Sequence, residues 1–162
     1  KKNEIVENTN IDEEVPYNSN IIENVNYTSK DAKGNEYIID AKLGEIDYNN
    51  SNIIYLTDVT AVIKLSNQNN IDITSDYGKY NTNNFDTIFS KNVVIDYLEN
   101  NITSEYLDFS LDRNSMIISK NVIYSNLENI LKADVVEINI TTKDTKIFMH
   151  SDKKKVNIKS KK

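Results

Sequence analysis

The sequence predicts an all-β protein built from repeated two-strand units. Three observations carry that prediction. A short phrase recurs at near-constant spacing. The chain falls into brief runs of Ile, Val, Tyr and Thr split by Asn, Asp, Ser and Lys. No long window shows the i, i+3, i+4, i+7 apolar spacing of a helix with good caps. Such runs suit pleated, half-buried strands. With only 3 Gly and 1 Pro, Asn is left to make the turns, because it tolerates the left-handed region.

Residues 1–20 are polar and contain Pro16. They read as a tail or linker, and residues 21–160 as the folded domain. Val25-Asn26-Tyr27-Thr28 and Tyr37-Ile38-Ile39 flank Asp31-Ala32-Lys33-Gly34-Asn35-Glu36, which reads as a hairpin turn. Asn92–Leu98 has some helical character. The alternation of Val93, Ile95 and Tyr97 favours a strand.

The repeat starts at IDAKLGEID (39–47) and returns as ITSDYGKYN (73–81), ITSEYLDFS (102–110) and LKADVVEIN (131–139). The small residues Ala41, Ser75, Ser104 and Ala133 align, 34, 29 and 29 residues apart. Five residues after each comes Ile46, Tyr80, Phe109 or Ile138. Eighteen residues after the first three comes Val59, Val93 or Val122, each preceded by Asp58, Asn92 or Asn121. Tyr55, Phe89 and Ile118 stand four residues before those valines. Each unit therefore reads as two strands joined by a polar turn, and the fixed period as a stacked β architecture.

Parity switches within the first strand of a unit. Ile73 and Ser75 share one parity, Gly78 and Tyr80 the other, and Ile102/Ser104 differ in the same way from Leu107/Phe109. One extra residue in every first strand, a β-bulge, explains the switch and would curl the sheet. The alternative is a sheet partly apolar on both faces, as Tyr77, Tyr106 and Val135 suggest. With the bulge, the inner stripe holds Ile39, Ala41, Ile46, Tyr55, Val59, Ile73, Tyr80, Phe89, Val93, Ile95, Ile102, Leu107, Phe109, Ile118, Val122, Val136 and Ile138. That stripe is either a closed core or a trough, and the small residues leave room along one line of it.

Composition excludes several function classes. The net charge of −6 disfavours nucleic acid, which wants a basic face. With no Cys, there is neither a disulfide framework nor a thiolate metal site. A single His150 cannot build a His-rich metal centre, and Asp144 and Asp152 make no calcium-loop pattern. No Gly-rich phosphate loop exists. Asp76, Glu105, Asp108, Asp134 and Glu137 disperse over the solvent-facing parity, whereas acid–base work needs a converging pair. We therefore expect no catalytic residues, no cofactor and no metal. No run of about 18 apolar residues is present to span a membrane. The chain opens on Lys1-Lys2-Asn3 and reads as a processed protein or an excised domain.

The arrangement resembles the LptC/LptA/OstA family, periplasmic proteins of the lipopolysaccharide export bridge. Ile73-Thr74-Ser75-Asp76 and Leu131-Lys132-Ala133-Asp134 match the first half of the OstA-type unit. Ser90-Lys91-Asn92-Val93 and Ser119-Lys120-Asn121-Val122 match the second. The opening Val25-Asn26-Tyr27 through Ala41, and the close Thr145–His150 followed by Lys155–Ile158, are similar to the LptC branch. The likeness covers about residues 20–160. The sequence departs from that branch in lacking the N-terminal transmembrane helix.

The resemblance implies an open, V-shaped β-jellyroll of antiparallel strands and a hydrophobic groove for the acyl chains of lipopolysaccharide. It implies a periplasmic protein, tethered to the inner membrane by an N-terminal helix absent from this chain. Lipid contacts are then expected at Ile46, Tyr55, Val59, Ile73, Tyr80, Phe89, Val93, Ile102, Leu107, Phe109, Ile118, Val122 and Ile138. Phe109, Tyr80 and Phe89 are expected to be the best of them. Edge-strand docking is expected at Val25 and Tyr27, toward an inner-membrane ABC transporter. At Phe148, Met149, Val156 and Ile158 it is expected toward an LptA-like protein. Against docking, Lys153-Lys154-Lys155 and the Lys-rich tail would blunt that edge. The competing reading is a structural or adhesive β-repeat protein with a closed core and no lipid path.

Overall fold

A computed structural model describes residues 20–30, 34–66, 69–151 and 153–161. Residues 1–19, read above as a tail or linker, lie outside the described residues, as do Asp31-Ala32-Lys33 of the first turn and Asp152. Ten strands form one antiparallel meander: β1 (Ile21–Lys30), β2 (Glu36–Ile46), β3 (Ile53–Lys64), β4 (Ile71–Asn81), β5 (Thr87–Tyr97), β6 (Asn100–Ser110), β7 (Ser115–Ser125), β8 (Asn129–Asn139), β9 (Thr145–Phe148) and β10 (Asn157–Ser160). Each of β1–β8 pairs with its sequence neighbours. The two short strands share the far edge of β8: β10 pairs with Asn129–Lys132 and β9 with Val135–Ile138. The sheet does not close on itself, so the expected all-β, antiparallel, open architecture is what forms.

The turns follow from asparagine and aspartate. Asn81, Asn126 and Asn139 each accept backbone N–H bonds on their side-chain oxygen. Phe85, Leu98, Asn114 and Lys143 take the positive-φ positions that glycine would otherwise fill.

The strands kink at mid-length, where the inward parity switches. In β4 the buried residues are Ile73 and Ser75, then Gly78 and Tyr80; in β6 they are Ser104, then Leu107 and Phe109. The switch is as the sequence suggests, but the surplus residue sits elsewhere. From the pair Thr74–Val94 to the pair Tyr77–Ser90, β4 advances three residues and β5 four. From Thr103–Ile123 to Tyr106–Ser119, β6 advances three and β7 four. The ladder thus places the bulge in the second strand of these two units, β5 and β7, where Lys91-Asn92 and Lys120-Asn121 take positive φ, while β3 pairs without a shift.

The kink is held from both faces. Inside, the Ser75 hydroxyl donates to the Tyr77 carbonyl at 2.8 Å, and the Ser104 hydroxyl to the Tyr106 carbonyl at 3.3 Å. The small residues of the repeat are thus buried at the fold line, with their hydroxyls satisfied by the kink itself. Outside, Lys91 Nζ lies 5.2 Å from the Tyr77 ring centroid and Lys120 Nζ 5.2 Å from that of Tyr106. Asn92 Nδ2 also donates to Asp76 Oδ2 at 2.8 Å. The outward tyrosines therefore cap the bend.

Kinks in register divide the sheet into two arms. One arm holds Glu36–Ala41, Val59–Lys64, Ile71–Ser75, Val93–Tyr97, Asn100–Ser104, Val122–Ser125 and Asn129–Ala133. The other holds Leu43–Ile46, Ile53–Thr57, Tyr77–Asn81, Thr87–Ser90, Tyr106–Ser110, Ser115–Ser119 and Val135–Asn139. The arms fold onto each other. Tyr27 of β1 meets Tyr80 of β4, ring centroids 4.8 Å apart, although three strand spacings in a flat sheet would be roughly 14 Å. Tyr37 of β2 meets Phe109 of β6 at 5.8 Å. The core sits between the arms.

Candidate functional site

The two arms are stacked out of step: β1 lies over β4, and β2 over β6. From β5 onward the first arm therefore runs out of opposing strands. Where the arms overlap, the interior is shut. Tyr37, Ile39, Ile63, Ile73, Tyr80, Phe89 and Phe109 are buried there, around a residual void of only about 20 Å³. Burial raises the hydroxyl pKa of Tyr80, and the nearby Tyr27 adds to it.

Where the overlap ends, an apolar groove of about 470 Å³ opens. Leu65, Ile71, Ile95, Tyr97, Ile102 and Tyr124 line it from one arm, and Met116, Ile118, Ile138 and Ile140 from the other. Its polar lining is sparse. Tyr124 donates its hydroxyl proton to Asn100 Oδ1 at 2.6 Å and accepts from Asn126 Nδ2 at 3.0 Å. Lys143 stands at the mouth.

The expected lipid contacts divide between these regions. Ile102 and Ile138 line the open groove half-buried, whereas Ile118 at its floor is 0% exposed. Ile73, Tyr80, Phe89 and Phe109 belong to the shut part. Phe89 is 1% and Phe109 5% exposed, so the aromatic residues singled out from the sequence are packed core. Val59, Val93, Leu107 and Val122 are equally enclosed, and Ile46 is half-buried against the core.

Tyr55 is a correction. It is 44% exposed on the outer face, and its hydroxyl donates to Asp47 Oδ2 at 3.1 Å. β3 switches parity as β2 and β4 do, so Ile54 and Leu56 point inward in its place. The Asp47 carboxylate is held below its ordinary pKa, first by the Asn49 backbone N–H and then by Tyr55.

The expected docking positions also separate by facing. Val25 is buried over Gly44, and the Tyr27 ring turns inward onto Tyr80. Among the described residues no strand pairs with the outer edge of β1, along which Ile21 and Ile22 are exposed. At the other end, Met149 and Val156 pack against the core. Phe148 pairs with Val135 on the outer face and stays partly exposed, and Ile158 is 65% exposed. His150 is exposed, its backbone N–H bonded to Asp134.

Sequence reasoning missed Leu65, Ile71, Met116, Tyr124, Ile140 and Lys143. A signal for the last two was present: NITTKD (139–144) repeats the turn pattern of NTNNFD (81–86). Among the described residues, no three of His, Asp and Glu converge on a metal-sized site. No helix among them is long and apolar enough to cross a membrane.

Comparison with known proteins bears on this geometry. No curated protein sequence matches the chain. Among solved structures, LptH, the LptA-homologous periplasmic component of the lipopolysaccharide transport device of Pseudomonas aeruginosa, superposes with a TM-score of 0.56. The match covers 75% of this chain and 92% of that one, at 8% identity, and it establishes a shared fold. The family model for lipopolysaccharide-assembly, LptC-related proteins matches residues 7–161. The chain therefore belongs to the LptC-related family of lipopolysaccharide-assembly proteins.

Proposed function

We propose that the chain is a bridge component of lipopolysaccharide export. In this reading it accepts lipopolysaccharide from an inner-membrane ABC transporter at the β1 edge. It holds the acyl chains in the groove between the arms and passes them to an LptA-like β-jellyroll at the β9–β10 edge. The observation that carries this reading is the open apolar groove at the β5–β8 end of the interior. The protein is net acidic while the lipid's phosphates are anionic, so headgroup attraction cannot be the main driving force. Burial can be. At ~0.8 kcal/mol per CH₂, a chain of roughly fourteen carbons contributes about 10 kcal/mol before ordering costs. A trough with few polar handles holds such cargo and also lets it go.

The two edges offer places for strand addition by partners. Among the described residues, β1 has a paired strand on one side only. At the other end, β9 and β10 are four residues each and exposed, short enough for a partner strand to extend or replace them. Two assays test the reading: lipopolysaccharide retention by the purified chain, and pull-down of an LptA-like partner. Removing residues 157–162 should abolish pull-down and leave lipopolysaccharide retention intact. A protein that retains no lipopolysaccharide when folded would contradict the proposal.

A further inference from the structure

The turn that carries Lys143 has a counterpart two units earlier in the chain. In Asn81–Asp86, Asn81 N–H donates to the Asp86 carbonyl at 2.9 Å and Phe85 N–H to the Asn81 carbonyl at 2.8 Å. In Asn139–Asp144, Asn139 N–H donates to the Asp144 carbonyl at 2.9 Å and Lys143 N–H to the Asn139 carbonyl at 2.9 Å. The leading Asn accepts the N–H two residues on in both turns, Asn83 at 2.9 Å and Thr141 at 3.0 Å. Phe85 and Lys143 occupy the same position with φ of 61° and 65°. Positive φ is uncommon for a bulky residue, and here both exposed residues border the space between the arms.

The chemistry at that shared position differs as the two regions differ. Phe85 lies over the shut part, beside Phe109 and Leu111. Lys143 lies at the open part and is the one charged side chain of its lining. Its ammonium makes no ion pair among the described residues. The nearest carboxylates in sequence, Glu137 and Asp144, line a neighbouring cleft with Arg113 and Lys146 and are not among the groove's lining residues. Of the groove's other polar residues, Asn100 and Tyr124 are bonded to each other, and Tyr97 carries no charge.

We propose that Lys143 is the headgroup-reading residue of the groove. The ligand is then an amphiphile whose acyl chain lies along Ile95, Ile102 and Ile138 and whose anionic phosphate meets the ammonium at the β8–β9 turn. A charge-assisted hydrogen bond at the end of an apolar trough selects an anionic over a neutral headgroup. The proposal rests on the lipid-groove reading above and adds a specificity determinant to it.

The test uses the full chain with dodecyl phosphate and dodecyl maltoside, each below its micelle concentration, in a fluorescent-probe displacement assay. Lys143→Gln is exposed and leaves the turn's backbone bonds in place. It should weaken dodecyl phosphate about tenfold and leave dodecyl maltoside unchanged. Lys143→Phe, which copies the Phe85 turn, should weaken both. Unchanged dodecyl phosphate affinity in Lys143→Gln, or equal loss of both amphiphiles, would overturn the assignment while sparing the groove. Displacement of the probe by inorganic phosphate alone would show a free-anion site instead and overturn it too. If neither amphiphile binds the wild-type chain, the groove reading falls together with this one.

Discussion

The two ends of the interior are built from the same repeating unit and behave differently. At the β1–β4 end the arms overlap, and Tyr27, Tyr37, Tyr80 and Phe109 knit them shut. At the β5–β8 end the inward Ile102 and Ile138 are half-buried and line open space, with Ile95 and Ile118 enclosed beneath them. The unit therefore does not decide between shut core and open groove. The offset of the arms does, because inward residues such as Ile102 and Ile138 stay half-buried where the overlap ends.

That contrast can be broken from either side. The largest effect is expected in the shut region. Phe109→Ala should cost about 3–5 kcal/mol of stability by urea unfolding, as for other buried Phe truncations. Phe109→Glu should fail to fold at all, since it would bury an unpaired charge. Ile102→Glu, half-buried at the open groove, should fold and lose most of its affinity for an alkyl-chain probe. If Ile102→Glu unfolds as readily as Phe109→Glu, the two regions are alike and the contrast fails.

Smaller effects should come from the fold line common to both regions. Ser104→Ala removes the hydroxyl bonded to the Tyr106 carbonyl and should cost about 1 kcal/mol. Lys120→Ala removes the exposed cation over Tyr106 and should cost about 0.5–1 kcal/mol. Either loss larger than that of Phe109→Ala would mean that the bend, not the overlap, dominates stability. The least effect is expected at Asp47. Its folded-state pKa is depressed, so its contribution is present above the ordinary carboxylate pKa and is lost as pH falls through the folded value. In Asp47→Asn, stability between neutral pH and mild acid should vary slightly less with pH than in the wild type.

Much of the fold is legible in the sequence, because the repeat acts locally. The 29-residue spacing of Ser75, Ser104 and Ala133 marks the strands, and the paired Lys91-Asn92 and Lys120-Asn121 mark the bends. Tyr55 is misread because Asp58 stands alone as a positive-φ residue in β3, without the second one that preserves parity in β5 and β7. The alternation of Ile54 and Leu56, then Val59, Ala61 and Ile63, carried the right facing. The site is less legible for a different reason. Which inward residues are covered depends on contacts such as Tyr37 with Phe109, far apart in the chain, and no local pattern encodes the offset between arms. An aromatic stripe therefore points to Phe89 and Phe109, the most enclosed positions, whereas the groove is lined chiefly by isoleucines and by turn residues.

If lipid enters the proposed groove, its acyl chains should reach the open end and not the shut one. Photo-crosslinking of lipopolysaccharide to the purified chain, with a photoreactive residue at Ile102, at Phe109 or, as an outward-facing control, at Lys79, separates the two. Adducts are expected at Ile102 and none at Phe109 or Lys79. Adducts at Phe109 with none at Ile102, in a folded protein, would mean instead that the arms part to carry lipid through the packed core.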